Sequence, residues 1–214
     1  MNPHLDFLLS SLYDRSALHP EHLADLRKSG ITDQTIRAQK IRTVPPSMID
    51  LLLGFRAPKV TSAYLIPFGD PRGGWLDLVR LKVFPTLTTE KGTIKYLQPR
   101  RSGVRLFFPL VTLARVLHGD EPLWATEGEK KALTAAQLGL PAVGFCGING
   151  WHVKGSLALL PDFDCIYLRG RTVEMVPDGD IATNPNVERG ARQFAEALER
   201  RGARVRLVHL PAAA

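Results

Sequence analysis

The stretch LWATEGEKKALTAAQLGLPAVGF, residues 123–145, decides the fold of this chain. Residues 123–126 are a short, mainly apolar run, Glu127-Gly128 makes a turn, and residues 129–138 have the composition of a helix. A second apolar run follows at residues 142–145. Strand, helix and strand joined by glycine-containing turns predict the beginning of a parallel α/β sheet.

The same alternation continues toward the C-terminus. The pattern predicts a strand at 171–176, a helix at 187–200 that stops at Arg201-Gly202, and a strand at 205–210. Parallel sheets of this type are covered by helices on both faces. Ligands of open α/β sheets bind beyond the carboxyl ends of the strands, so functional residues are expected at that edge.

Two acidic clusters fall at that edge. Glu127 ends the first strand, and Gly128 permits a sharp bend that turns the free amides of the next helix toward a ligand. Asp178 and Asp180 follow the strand at 171–176 and place two carboxylates near one point, which suits Mg²⁺. Either cluster alone is equally typical of a solvated turn, because Asp and Gly are common turn residues. Their coincidence at one sheet edge favours a metal site.

A third acidic pair, Asp162 and Asp164, has the same D-x-D spacing. It precedes a predicted strand at 165–168 instead of following one. This order places the pair at the opposite sheet edge or in a connecting loop, and we expect it to be structural.

The residues before the parallel sheet have a different pattern of predicted secondary structure. The first 45 or so residues predict short helices, with Pro20 in a first turn, Leu23 and Leu26 on one face, and a stop at Ser29-Gly30. Residues 63–68 and 75–83 predict a β-hairpin around the turn at 69–74, and residues 93–97 and 104–108 predict further strands. Residues 60–110 are therefore expected to form a small antiparallel sheet.

The segments TEGEKKALTAAQLGLPAVGFCGINGW and NPNVERGARQFAEALERRGARVRLVHLP, on either side of a strand that ends in DGD, resemble a Toprim domain. They are most similar to the Toprim-like primase domains of plasmid, phage and mobile-element primase-helicases. In those proteins, segments similar to LHPEHLADLRKSGITDQTI and YLIPFGD precede the Toprim part. The resemblance implies an N-terminal helical segment at 1–58, a small β-rich section at 59–118 and a Toprim-like parallel sheet flanked by helices at 119–214.

The resemblance also implies an activity. Glu127 matches the glutamate of the fold, which serves acid/base chemistry or metal placement, and Asp178 and Asp180 match its pair of ligands for Mg²⁺ or Mn²⁺. The implied function is that of a DNA primase catalytic region of a mobile-element replication protein. It would make short primers on single-stranded DNA from nucleoside triphosphates, with a helicase domain in the same or another chain. Two alternatives use the same residues: a metal-dependent Toprim nuclease, and a catalytically silent DNA-binding module.

The basic residues fit a polyanionic partner. The chain has 28 Lys and Arg against 21 Asp and Glu, a formal charge of +7. Cations are disfavoured in the first turn of a helix, so a phosphate ligand would explain two lysines there. The predicted nucleotide- or phosphate-binding residues are Gly128, Lys130, Lys131 and Asn149. The predicted nucleic-acid contacts are Lys82, Lys95, Arg100, Arg101 and Arg105, with Tyr96, Phe107 and Phe108 available either to stack a base or to fill a core.

Composition excludes several other classes of protein. Hydrophobic residues at 44% and charged residues at 23% are typical of globular domains and exclude a disordered or fibrous chain. Two distant cysteines, Cys146 and Cys165, exclude a CxxC-type zinc ribbon, and no GxxxxGK[ST] loop is present for an NTP-driven motor. Apolar runs too short to span a bilayer and an N-terminus without a basic start predict a cytoplasmic protein with no membrane partner.

Overall fold

The computed structural model describes residues 10, 12, 17–90, 92–177 and 184–208. The chain forms two compact units, Met1–Gly103 and Val104–Ala214. The three-part division into residues 1–58, 59–118 and 119–214 stays a prediction beside these two units. The fold class is confirmed: a parallel sheet flanked by helices is accompanied by a small antiparallel sheet.

The first unit contains a four-stranded antiparallel sheet with the strand order β1-β2-β3-β4. Its elements are α1 (Pro20–Lys28), α2 (Asp33–Ala38), β1 (Arg42–Val44), α3 (Pro46–Leu53), β2 (Ser62–Gly69), β3 (Trp75–Thr89) and β4 (Gly92–Leu97). The predicted hairpin is confirmed. Asp70 N–H donates to Gly74 O at 3.0 Å and closes its turn, in which Gly73 and Gly74 have φ values of 110° and 82°.

The two short helices are fixed by their first turns. Pro20 occupies the start of α1, where its missing N–H costs nothing, and the His19 ring accepts from Glu21 N–H. Thr32 caps α2 by accepting from Thr35 N–H at 3.3 Å.

The two faces of the antiparallel sheet have different characters, because side chains alternate along a strand. One face buries Leu65, Leu81 and Val83 against Leu52 and Leu53 of α3, which makes the apolar core of the first unit. The other face carries the aromatic and cationic residues of β2, β3 and β4, and helix α1 contributes His22 and Asp25 to it. The Tyr64 hydroxyl donates to Asp25 Oδ2 at 2.7 Å.

The second unit contains a four-stranded parallel sheet with the strand order β6-β5-β7-β8. Its elements are α4 (Leu113–His118), β5 (Leu123–Glu127), α5 (Glu129–Gln137), β6 (Ala142–Phe145), β7 (Thr172–Val176), α6 (Pro185–Arg200) and β8 (Arg204–Leu207), with 3₁₀ turns at Leu110–Thr112 and Pro161–Cys165. Apart from the strand predicted at 165–168, the strands and helices predicted from residue 123 onward are confirmed to within a few residues at those ends that the structure describes.

Phe194 of α6 lies at the centre of the core of the second unit. Its ring contacts those of Phe145, Trp151 and Phe163, with centroid distances of 5.1, 5.1 and 5.8 Å. Trp151 is fully buried, so it has the packing role that aromatic residues most often have. Phe107 and Phe108 are also fully buried and are core residues rather than stacking platforms.

Arg171 ties the beginning of β7 to the loop after α4. Its guanidinium, in a residue only 2% exposed, donates to the backbone oxygens of Arg115, Val116 and Glu121 at 2.8, 2.5 and 2.8 Å. Burial lowers the pKa of Arg171 from its usual value, while the nearby Glu121 and Asp120 raise it.

Two predicted strands are wrong. Residues 104–108 contain only a single bridging residue, Phe107, which exchanges backbone hydrogen bonds with Gly144 at the edge of the parallel sheet. Residues 165–168 are not a strand, because Pro161 begins a 3₁₀ turn in which proline is well tolerated. Apolar alternation alone predicts neither outcome, since the partner of each segment is distant in sequence.

Asp162 has the structural role predicted for it. Its buried carboxylate accepts from Arg105 Nε at 2.8 Å and from Leu106 N–H at 2.8 Å, and it forms an ion pair with the same guanidinium. Asp164 is exposed and pairs with Arg201 at 2.6 Å. None of the helices in the described part of the chain is long and apolar enough to cross a membrane.

Candidate active site

The turn between β5 and α5 forms one wall of the carboxyl edge of the parallel sheet. Gly128 has a φ of 81°, which a residue with a side chain rarely adopts, and its N–H donates to Phe145 O at 2.8 Å. Gly144 gives this turn its space, because a Cβ there would lie 3.0 Å from Gly128 O and 3.2 Å from the Ala132 Cβ. Strand β6 and the start of α5 therefore approach more closely than side chains would allow.

Two carboxylates flank Gly128. Glu127 is the last residue of β5 and is half-buried. Glu129 is the first residue of α5 and is only 4% exposed. An acid in a first helical turn is favoured by the helix dipole. Glu129 is not among the site residues predicted from the sequence, although the pattern E-G-E shows that two acids flank the turn.

Strand β7, which precedes the second predicted acidic cluster in the sequence, ends at the same edge. It runs parallel to β5 with Val176 opposite Thr126, so the two strands end at the same level. Asp178 and Asp180 themselves lie outside the described residues, as does the rest of 178–183. Within the ranges that are described, no three His, Cys, Asp or Glu side chains come together as a metal site. Glu127 is the one predicted metal ligand in those ranges.

The predicted phosphate-binding lysines lie beside Glu127. Lys130 is half-buried and Lys131 is exposed, both in the first turn of α5. Asn149 is exposed in the turn that follows β6. Because β5 and β6 are parallel neighbours, all of these residues are at one edge of the sheet.

The turn after β6 is packed directly against helix α6. A Cβ added to Gly190 would lie 2.8 Å from Ile148 Cγ1 and 3.3 Å from Asn149 Oδ1. The stack of Trp151 on Phe194 anchors the end of the turn to the same helix. Ile148 and Trp151, on either side of Asn149 in the sequence, therefore both pack against α6 and hold the turn in place.

The predicted nucleic-acid contacts in the first unit do not form a single open patch. Lys82 is only 7% exposed, with its ammonium 4.6 Å from the ring centroid of Phe84 and 5.8 Å from that of Tyr96. Arg80 also lies over the Tyr96 ring, with its Cζ atom 5.5 Å from the ring centroid. These cations and rings alternate on one face of the sheet and stabilise one another through cation–π contacts.

The other predicted contacts have different surroundings. Lys95 is exposed and adjoins Tyr96 in β4, so strand alternation places it on the face opposite Lys82. Arg100 and Arg101 are exposed in the turn after β4. Arg105 belongs to the second unit, where the buried Asp162 engages its guanidinium.

His22 is a buried titratable group that the sequence analysis does not identify. Its two ring nitrogens lie 2.8 Å from Thr43 Oγ1 and 3.2 Å from Ser62 Oγ, and its ring stacks on Phe84 at 5.0 Å. Burial lowers the pKa of His22 from its usual value of 6.5; His19 lowers it further, while Glu21 and Asp25 raise it. Thr43 Oγ1 also accepts from His19 N–H, so its own hydrogen is available to a neutral His22 ring.

Comparison with known proteins gives a family-model match and structural neighbours. Residues 114–214, slightly less than half of the chain, match the model of a domain of unknown function (DUF3854). No curated protein matches this chain.

Two solved structures are similar over 99% of this chain at 16% sequence identity. One is the *Aquifex aeolicus* primase, zinc-binding and RNA polymerase domains, with a TM-score of 0.67, and the other is the DnaG catalytic core, with a TM-score of 0.64. The chain covers 55% of the first neighbour and 72% of the second, so it spans about half the length of the *Aquifex* protein. At this identity the similarity establishes the fold, and the chain has the architecture of these primase-type cores.

Proposed function

We propose that this chain is the Toprim-type catalytic region of a DNA primase from a mobile-element replication protein, making short primers on single-stranded DNA. The observation that carries the proposal is that the neighbouring parallel strands β5 and β7 end at the same edge of the sheet. Glu127 ends β5, and β7, which leads into Asp178 and Asp180, ends level with it in the same parallel sheet. The fold shared with primase-type cores supports this assignment.

The donor set fits a divalent metal ion. Glu127, Asp178 and Asp180 offer carboxylate oxygens, the ligands that Mg²⁺ and Mn²⁺ prefer, and the half-buried Glu127 lies at the strand end. When bound, the ion supplies charge neutralisation at the triphosphate. The all-oxygen chemistry of these residues is what selects a hard cation over a zinc-type ion.

The chain's own residues supply the rest of the chemistry. Lys130 and Lys131 pair with phosphate oxygens beside the amides that follow Gly128, and Asn149 orients the incoming nucleotide. Glu127 takes the proton of the attacking 3′-hydroxyl or fixes the metal beside it. The new bond joins the 3′-oxygen to the α-phosphorus, and pyrophosphate leaves with the electrons of the broken bond. Positioning and electrostatics provide most of the rate enhancement.

Template contacts are proposed for the basic residues of both units. The exposed Lys95, Arg100 and Arg101 are best suited to pair with backbone phosphates. Lys82 and Arg105 have ring and carboxylate partners, so their contribution is smaller. A helicase domain in the same or another chain would deliver the template.

The test is a primer-synthesis assay on single-stranded DNA with labelled nucleotides and Mg²⁺ or Mn²⁺. Asp178→Asn, Asp180→Asn and Glu127→Gln should each lower product formation by about two to three orders of magnitude, the usual effect of losing one transition-state contact. Asp164→Asn is the matched control, because it alters the exposed acid of the other D-x-D pair and should retain wild-type activity.

Other outcomes would replace the proposal. A wild-type protein that shortens the template without added nucleotides is a metal-dependent nuclease. A protein that binds single-stranded DNA but neither extends nor cleaves it is a silent binding module.

A further inference from the structure

The second unit contains a long stretch of chain with no acidic residue. Between Glu129 and Asp162, thirty-two consecutive residues include three lysines and no Asp or Glu. The two acids at the ends of this stretch are only 4% and 3% exposed, and Asp162 is paired with Arg105. The surface formed by residues 130–161 therefore carries only positive charge, which complements an anion.

Both segments that carry these lysines begin at one edge of the sheet. Lys130 and Lys131 follow the carboxyl end of β5, and Lys154 lies in the loop that follows the carboxyl end of β6. The two strands are parallel neighbours, so both loops emerge at the same side of the sheet. Cations on two separate loops suit an extended polyanion better than a single small ion.

The loop that carries Lys154 is a small, well-defined hairpin. His152 and Leu159 form an antiparallel bridge, Val153 N–H donates to Ala158 O at 2.9 Å, and Ala158 N–H donates to Ser156 Oγ at 2.9 Å. Residues 153–158 are all exposed. The hairpin is anchored in the core, because Trp151 and Leu160 are buried and Leu160 N–H donates to Trp151 O at 3.0 Å.

Two apolar side chains stand beside the lysine on this hairpin. Val153 is 40% exposed and Leu157 is 47% exposed, whereas Trp151, Leu159 and Leu160 at the base of the hairpin are buried. A cation flanked by apolar side chains matches the chemistry of a nucleic-acid strand, which alternates anionic phosphates with apolar base faces.

We propose that the hairpin 152–159 binds single-stranded nucleic acid, with Lys154 paired to a backbone phosphate and Val153 and Leu157 packed against bases. The inference rests on the proposed function for the identity of the polyanion. It adds to that function a binding element that the sequence analysis does not identify.

The test measures the fluorescence anisotropy of labelled oligothymidine with the full chain over a series of salt concentrations. Lys154→Gln should weaken binding at low salt and reduce the slope of log affinity against log salt by about 0.7, the value for one phosphate contact on a single strand. Val153→Ser with Leu157→Ser should weaken binding about fivefold with an unchanged slope, because no charge is removed.

Two controls match these variants in chemistry. Lys59→Gln removes an exposed lysine of the first unit, and Leu138→Ser removes a leucine that is 72% exposed at the end of α5, on the amino side of β6. Both should bind as the wild type does. Circular dichroism of each variant checks that it has folded.

The results separate this inference from the proposed function. Wild-type affinity and slope in the hairpin variants, or equal losses in the hairpin and control variants, would overturn the hairpin inference and leave the primase proposal untouched. Primer synthesis lost in Glu127→Gln with unchanged oligothymidine binding separates chemistry from binding. A wild-type chain that binds no single-stranded DNA contradicts both.

Discussion

The two sheets of this molecule place their charged residues differently. The antiparallel sheet buries Lys82 and His22 on one face, among aromatic rings and hydroxyl groups. The parallel sheet has an apolar interior around Phe194, and its carboxyl edge carries Glu127 and the lysines of α5. Charge that is enclosed and compensated stabilises a structure, whereas charge at a strand end is available to a ligand. This difference is the reason why the proposed chemistry is placed in the second unit.

The pair between Arg105 and the buried Asp162 encloses charge in the second unit and tests whether enclosed charge stabilises the structure. Asp162→Ala removes the acceptor of both the Arg105 guanidinium and Leu106 N–H, and we expect the free energy of unfolding to fall by about 3 kcal/mol. Urea denaturation measures the change. If stability is unaffected, enclosed charge does not stabilise this unit and the contrast fails.

Gly190 tests whether the edge of the parallel sheet is held rigidly. An alanine Cβ at this position would overlap Ile148 Cγ1, so strain of about 1–3 kcal/mol should exceed the gain of up to about 1 kcal/mol in helix propensity. We expect a net loss of about 1 kcal/mol and a shifted Asn149 side-chain resonance in the amide spectrum. If Gly190→Ala instead stabilises the protein, the turn after β6 can shift to accommodate the added methyl group and is not rigid.

The buried His22 is expected to make the stability of the first unit fall at acid pH. Because burial lowers its pKa in the folded state, His22 binds fewer protons when folded, and the resulting stability is lost as pH falls below its usual value of 6.5. The loss should amount to at most about 1.4 kcal/mol per pH unit until the folded pKa is reached.

His22→Gln should remove this part of the pH dependence. Thermal unfolding of both proteins between pH 7.5 and 5 measures it, with His118→Gln as the control. Identical pH profiles for wild type and His22→Gln would show that the ring is readily protonated in the folded state.

The smallest effect is expected at Asp164, the exposed acid of the 3₁₀ turn that also contains Asp162. Asp164→Asn breaks a pair with Arg201 in which the two side chains are 57% and 46% exposed, so less than about 1 kcal/mol of stability should be lost. Denaturation in parallel with Asp162→Ala compares the two members of one D-x-D pair. A larger loss at Asp164 than at Asp162 would reverse the rule drawn from the two sheets.

The sequence predicts the parallel sheet well, because β5, β6 and β7 are short, mainly apolar runs next to glycine-containing turns. It predicts less about partners that are distant in sequence. Phe107 pairs with Gly144, and Arg105 binds Asp162, which is 57 positions away. Local alternation contains no information about either contact.

In the candidate site, too, positions set by neighbouring residues are predictable and contacts between distant residues are not. Glu127 is predictable from the strand–Glu–Gly–helix pattern, since its position depends on neighbouring residues only. The enclosure of Lys82 depends instead on the rings of Phe84 and Tyr96 beside it, and the pattern of basic residues does not reveal that enclosure. Predictions for Asp178 and Asp180 stay predictions, because both lie outside the described residues.

The role of Arg171 has a consequence for synthesis on the ribosome. The backbone oxygens of residues 115, 116 and 121 find their donor 50 to 56 positions later in the chain, and β5 likewise pairs with β7 across a comparable distance. Until residue 171 leaves the exit tunnel, water must solvate those oxygens and one side of the central strand has no neighbour. The second unit should therefore acquire its structure late in translation, while the first, with its local hairpins, can fold as it emerges.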